Sequence, residues 1–81
     1  MNKAMVESTT LMSVAYDEAC ELLQLEFRSG SVYHYFGVPS VAHEGLLNAR
    51  SKGSYFNSAI RGRFPYALRA AVEQDSEVGR G

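Results

Sequence analysis

The sequence predicts an α+β fold: a three-stranded antiparallel β-meander followed by two or three short helices packed on one face. Three observations carry that prediction. Apolar residues alternate with polar ones at a period of two as far as Phe36, a Gly37-Val38-Pro39 corner follows, and beyond it apolar residues recur at helical spacing. At 81 residues, with 46% hydrophobic and 21% charged side chains, the chain is sized for one core. Residues 10–70 are assigned to that domain. Residues 1–9 and 71–81 are assigned to flexible ends, since a tail as polar as Glu73 to Gly81 cannot offset its ordering entropy by burial.

The first strand, Thr10 to Tyr16, sets Met12, Val14 and Tyr16 on one face and Leu11, Ser13 and Ala15 on the other. Asp17-Glu18-Ala19-Cys20 reads as a turn in which Asp17 bonds the backbone ahead of it. The second strand, Glu21 to Arg28, alternates Leu23, Leu25 and Phe27 against Leu22, Gln24, Glu26 and Arg28. A four-residue loop at 17–20 places Tyr16 opposite Glu21, Val14 opposite Leu23 and Met12 opposite Leu25, so both apolar sets share a face.

Ser29-Gly30 leads into the third strand, Ser31 to Phe36, and here one residue of register decides a great deal. A two-residue loop at 29–30 puts Tyr33 and Tyr35 on the polar face as an exposed platform. A three-residue loop, Arg28-Ser29-Gly30 with Gly30 in the left-handed conformation, sets Tyr33 opposite Leu25 and Tyr35 opposite Leu23, leaving His34 outside. The three-residue loop is favoured. Gly30 suits its third position, and tyrosine rings with wet hydroxyls are better placed against leucines than a histidine is.

Pro39 fits a helical first turn, and the helix from about Pro39 to Asn48 gathers Val41, Ala42, Gly45 and Leu46 on one side, with Ala49 just beyond. Gly45 in that stripe points to close approach of a bulky group, such as a tyrosine ring from the sheet. Leu47 falls opposite the stripe, either exposed as a contact or covered by the C-terminal segment. Ser51-Lys52-Gly53-Ser54 breaks the helix, and either serine suits the cap of the next. That second helix runs from about Tyr55 to Arg61, with Phe56/Ile60 and Tyr55/Ala59 stacked four apart. Pro65 bars its continuation, and the alanine-rich stretch Tyr66 to Val72 reads as the start of a short last helix.

Several function classes recede on composition. Cys20 is the sole cysteine, which excludes an intrachain disulfide and points to a reducing, cytoplasmic setting. With no CxxC or HExxH pattern, and with His34 and His43 standing alone, no metal or cofactor is expected. The N-terminal residues lack the apolar run of a signal peptide, and no window approaches about 20 apolar residues, so no membrane partner is expected. Cys20 lies between Glu18 and Glu21, poor company for a nucleophilic thiolate, and no serine has an evident histidine partner. A non-enzymatic protein is the expectation.

Charge is more informative. The formal net charge of -1 conceals segregation: all five charged residues from Glu7 to Glu26 are acidic, whereas Gly45 to Val72 holds Arg50, Lys52, Arg61, Arg63 and Arg69 and no carboxylate. A basic surface beside aromatic rings suits RNA, whose phosphates meet Lys52, Arg61 and Arg63 while Tyr33, Tyr35, Tyr55 and Asn57 face bases. Ser51, Lys52, Gly53 and Ser54 together offer backbone N–H groups, two hydroxyls and an ammonium, a set suited either to one phosphate or to plain helix capping.

In order and spacing, Ser13-Val14-Ala15-Tyr16-Asp17, Leu25-Glu26-Phe27 with Ser29-Gly30, Tyr33-His34-Tyr35-Phe36-Gly37-Val38-Pro39, and Ser51-Lys52-Gly53-Ser54-Tyr55-Phe56-Asn57 followed by Ile60-Arg61 resemble the KTSC domain. That family is named for its occurrence at the C-terminus of some lysyl-tRNA synthetases, and it also occurs as stand-alone small bacterial and phage proteins. Ala15, where the family often has glycine, and Ser54, where a basic residue is frequent, depart from its pattern. The synthetase context implies RNA as a partner. The resulting expectation is a small binding module for tRNA or single-stranded RNA. The alternatives are a protein-interaction or homo-oligomerisation module joining the acidic hairpin to the basic helix with Leu47 at the contact, or a binder of a small phosphorylated ligand at the Ser51–Ser54 turn.

Overall fold

The alternation up to Phe36 folds back and forth on itself, and a further strand adds to each side. The structure, a computed structural model, describes residues 2–6 and 8–71. Its antiparallel sheet has five strands, β1 (Asn2–Met5), β2 (Leu11–Asp17), β3 (Leu22–Phe27), β4 (Val32–Phe36) and β5 (Tyr66–Ala70), in the order β1-β2-β3-β4-β5. Between β4 and β5 lie α1 (Ser40–Asn48) and α2 (Lys52–Tyr55), the latter continuing into a π-helical turn, Phe56–Ile60.

The two outer strands correct the expected three-stranded meander. β1 occupies a segment expected to carry no element; its four residues show no apolar alternation, and what makes it a strand is its ladder with β2, from Asn2 opposite Tyr16 to Met5 opposite Ser13. β5 replaces the expected last helix. Alanines at 67 and 70 favour a helix locally, yet the free edge of β4 offers paired backbone hydrogen bonds, with Tyr66 opposite Tyr35 and Leu68 opposite Tyr33. The remainder of the expected C-terminal tail, from Val72, lies outside the described residues.

The critical register follows the three-residue loop. Tyr33 faces Leu25 and Tyr35 faces Leu23 across the β3–β4 ladder, Gly30 has φ 99°, and the Gly30 N–H donates to the Phe27 carbonyl at 2.8 Å. His34 stays on the outer face, its Nε2 2.7 Å from Gln24 Oε1. The first hairpin differs from expectation. Its turn falls one residue later, with Asp17 opposite Leu22 and Glu21 at φ 51°, so that Val14 meets Leu25 and Tyr16 meets Leu23. The partner shifts by two residues, which preserves the faces. A bulge between Leu11 and Ser13 then turns Leu11 inward in place of Met12; Leu11 is fully buried and Met12 half-buried. Asp17 does bond ahead, accepting from the Cys20 N–H at 3.3 Å.

The core joins Leu11, Val14, Tyr16, Leu23, Leu25 and Tyr35 of the sheet to Val38, Leu46, Phe56 and Ile60. Leu47, expected to be either exposed or covered, is half-buried against this cluster. Gly45 admits a tyrosine ring, but it is Tyr55 from α2 rather than a ring from the sheet: a Cβ there would collide with the Tyr55 hydroxyl and lie 2.7 Å from its Cζ.

The corner at Gly37-Val38-Pro39 is tied down by Tyr16, whose hydroxyl donates to the Val38 carbonyl at 2.6 Å while its ring stacks on His43 at 4.4 Å. Tyr16→Phe leaves that buried carbonyl without its donor and is expected to lower unfolding free energy by about 1–3 kcal/mol. Urea denaturation checks this, and a loss below about 0.5 kcal/mol would show that the carbonyl finds another donor.

Candidate nucleic-acid interface

Because Tyr66 pairs with Tyr35 and Leu68 with Tyr33, β5 extends the helix-side face of the sheet. The helices do not reach over it: Tyr66 is 61% and Leu68 52% exposed. Tyr33, Tyr35 and Tyr66 therefore come together at the margin of the core, with ring centroids 5.6–6.3 Å apart. Phe56 meets Tyr35 edge-on at 5.6 Å, and Phe27 meets Tyr33 likewise at 5.6 Å. These five rings line a cleft of about 540 Å³, whose polar rim includes Thr9, Thr10, Arg28, Ser29 and Arg61. That volume falls within the range of about 300–1,000 Å³ usual for ligand sites.

Exposure within the tyrosine cluster is graded. Tyr35 is buried, Tyr33 half-buried and Tyr66 exposed, so Tyr35 serves as wall and Tyr66 as an accessible face. Burial, and then the neighbouring phenols of Tyr33 and Tyr66, push the Tyr35 hydroxyl above its ordinary pKa, while Arg61 pulls modestly the other way. Tyr35 is therefore a neutral donor at physiological pH. Unlike Tyr16, none of these three tyrosines spends its hydroxyl on a protein partner among the described residues.

A second cleft of about 490 Å³ adjoins the first and is basic: Ser8, Thr9, Arg28, Arg50, Ser51, Lys52 and Gly53 line it. Thr9 and Arg28 border both clefts. The backbone brings these residues together. Arg28 N–H donates to the Thr10 carbonyl at 2.9 Å, its Nε donates to the Ser8 carbonyl at 2.8 Å, and Ser8 Oγ accepts from the N–H groups of Thr10 and Leu11. Gly53 closes on the same segment, where a Cβ would lie 2.7 Å from Thr10 Oγ1. Among the described residues no carboxylate lines either cleft. Asp17, Glu18 and Glu21 sit at the far end of the β2–β3 hairpin, whereas Glu26, nearer the clefts, pairs with Lys3 on the outer face of the sheet.

The structure divides the expected site residues. Tyr33, Tyr35 and Arg61 line the aromatic cleft; Ser51, Lys52 and Gly53 line the basic one. Ser54 lines neither, since its N–H and hydroxyl both engage Ser51 Oγ in a helix cap. Tyr55 is occupied against Gly45 and does not face a cleft. Asn57 accepts from Arg61 Nη1 at 3.4 Å, bracing that guanidinium rather than lining the cleft, and Arg63 donates through Nε to the Ser58 carbonyl outside both.

Two residues escaped sequence reasoning. Tyr66 was hidden inside a stretch that reads as helix, although Tyr66 and Leu68 already alternate. Arg28 reads as the polar face of a strand, and only the close approach of Ser8–Thr10 makes it the partition between clefts. Elsewhere, burial pushes the His34 imidazole below its ordinary pKa, with Arg69 adding to the effect. Among the described residues no group of three His, Cys, Asp or Glu is placed to hold a metal ion, and no helix is long and apolar enough to cross a membrane.

Comparison with known proteins places these elements among relatives. The KTSC domain model matches residues 7–64. A lysine–tRNA ligase of Nostoc punctiforme is 43% identical over 60 residues, which is 74% of this chain and 11% of that protein. An uncharacterized protein of Stutzerimonas stutzeri is 36% identical over 61 residues, 75% of this chain and 86% of that one. The crystal structure of a KTSC domain protein from Yersinia pestis superposes with a TM-score of 0.82 at 33% identity, covering 85% of this chain and 97% of that one. The chain thus spans about 11% of the length of the ligase it matches, and most of the two small proteins.

Proposed function

The chain belongs to the KTSC domain family, and on that premise we propose that it is a non-enzymatic RNA-binding module, working in the cytoplasm without a cofactor, for tRNA or single-stranded RNA. The observation that supports this most is the aromatic cleft: Tyr66 and Tyr33 offer ring faces, Arg61 and Arg28 stand at its rim, and no carboxylate among the described residues lines it. Unpaired bases stack on such rings while guanidinium groups meet phosphate. The basic surface expected beside aromatic rings is thereby narrowed to a cleft whose floor is the sheet. The occurrence of the relative's matching segment within a lysine–tRNA ligase is consistent with an RNA partner.

Gel shift and fluorescence anisotropy with tRNA and a single-stranded oligouridylate test the proposal at low salt. Tyr66→Ala is expected to weaken binding by about 5–100-fold, the measure of one lost stacking contact, with little change in stability because the ring is mostly exposed. Arg61→Glu should weaken it further and flatten the salt dependence. No retention of either RNA would remove the reading. Self-association is the second reading, favoured by one observation: β5 ends the sheet with Tyr66 and Leu68 exposed. Light scattering at several salt concentrations separates the two, and a monomer throughout would eliminate it.

A further inference from the structure

We infer that the basic cleft is a phosphate subsite, registering one nucleotide with its phosphate between Arg28, Arg50 and Lys52 and its base in the adjoining aromatic cleft. The inference deepens the RNA reading and rests on it for the identity of the strand.

Three cations converge here from two segments distant in sequence, the end of β3 and the α1–α2 connection. None of them has a carboxylate partner among the described residues, where the ion pair found is Lys3–Glu26 on the outer face of the sheet. Like charges held near one another repel, and an anion between them relieves that repulsion. Their donors remain largely unspent. Arg28 uses Nε on the Ser8 carbonyl and keeps the rest of its guanidinium fork, and Lys52 uses one donor on the Ala49 carbonyl at 3.0 Å.

The helix cap contributes nothing to the argument, because Ser51 Oγ is already engaged by Ser54. What selects a nucleotide over a bare anion is adjacency. Arg28 and Thr9 border both clefts, so a planar ring and a phosphate joined by a sugar meet an aromatic floor and a cationic wall side by side. Gly53 permits the close approach of the two segments, since a Cβ there would lie 2.7 Å from Thr10 Oγ1 and one of them would have to shift.

The double variant Arg50→Gln/Lys52→Gln tests this and spares Arg28, which also holds the Ser8 backbone. Its melting temperature should stay near that of the wild type. Titrations of oligouridylate across salt concentrations should show the slope of log K against log salt falling by about 0.7, the value for one phosphate of a single strand. Uridine 5′-monophosphate should bind the wild type at least tenfold more tightly than uridine, and the variant should abolish that difference. Oligouridylate binding with an unchanged slope, or equal binding of nucleoside and monophosphate, would overturn the subsite while leaving the RNA reading intact. Binding of the monophosphate without the strand would uphold the subsite and overturn the RNA reading. Binding of neither would overturn both.

Discussion

Tyr35→Ala is expected to reduce unfolding free energy by about 3–5 kcal/mol, the range for truncating a large buried aromatic ring. Only 4% of Tyr35 is exposed; it faces Leu23 from β4 and meets Phe56, Tyr33 and Tyr66 around its ring. A domain of 81 residues has total stability of roughly 4–12 kcal/mol at the usual value per residue, so this single change removes a large part of it. Urea denaturation with circular dichroism is the measurement. Two companions sharpen it. Tyr35→Phe removes a hydroxyl without a partner among the described residues and should stay within about 0.5 kcal/mol of wild type, and Tyr66→Ala should stay within about 1 kcal/mol. If Tyr35→Ala and Tyr66→Ala destabilise equally, the division between wall and accessible face is wrong.

Ile60→Ala is the second large effect, at about 2–5 kcal/mol. Ile60 closes the π-helical turn and is fully buried, and the Arg61 N–H that follows donates five residues back to the Phe56 carbonyl at 2.8 Å. That wider turn lets Phe56 and Ile60 both enter the core while Arg61 emerges at the rim of the aromatic cleft. The truncation therefore leaves a cavity beneath a site residue. Thermal and urea unfolding should register the loss, and below the melting transition RNA affinity should fall with it if Arg61 depends on this anchor. A stability loss under about 1 kcal/mol would show instead that the turn collapses to fill the gap.

Much of the hairpin architecture was legible because β-structure with one buried face writes itself as alternation. Leu23, Leu25 and Phe27 named the inner face of β3, and Gly30 settled the loop that turns Tyr33 and Tyr35 toward it. The first hairpin kept its faces although its turn moved by a residue, since a two-residue shift is invisible to a period of two. The Met12 bulge was not legible: Leu11 and Met12 are both large and apolar, and only the packing under the helices selects Leu11. β5 was not legible either. Its alanines speak for a helix, and the free edge of β4 that overrules them is nowhere in its own sequence.

The site divides along the same line. The sequence by itself determined that the chain is α+β and that basic and acidic residues are kept apart along it, and it offered Tyr33, Tyr35, Lys52, Tyr55, Asn57, Arg61 and Arg63 as candidates without sorting them. Those are properties of composition and short-range period, which survive without knowledge of the fold. Only the tertiary structure decided that Tyr66 joins the Tyr33–Tyr35 pair, that Tyr55 instead fills the space left by Gly45, and that Arg28 partitions an aromatic cleft from a basic one. Tyr66 joins the pair across about 30 residues of chain, Tyr55 reaches Gly45 from the next helix, and Arg28 is met by Ser8–Thr10, and local preference carries no information about such meetings.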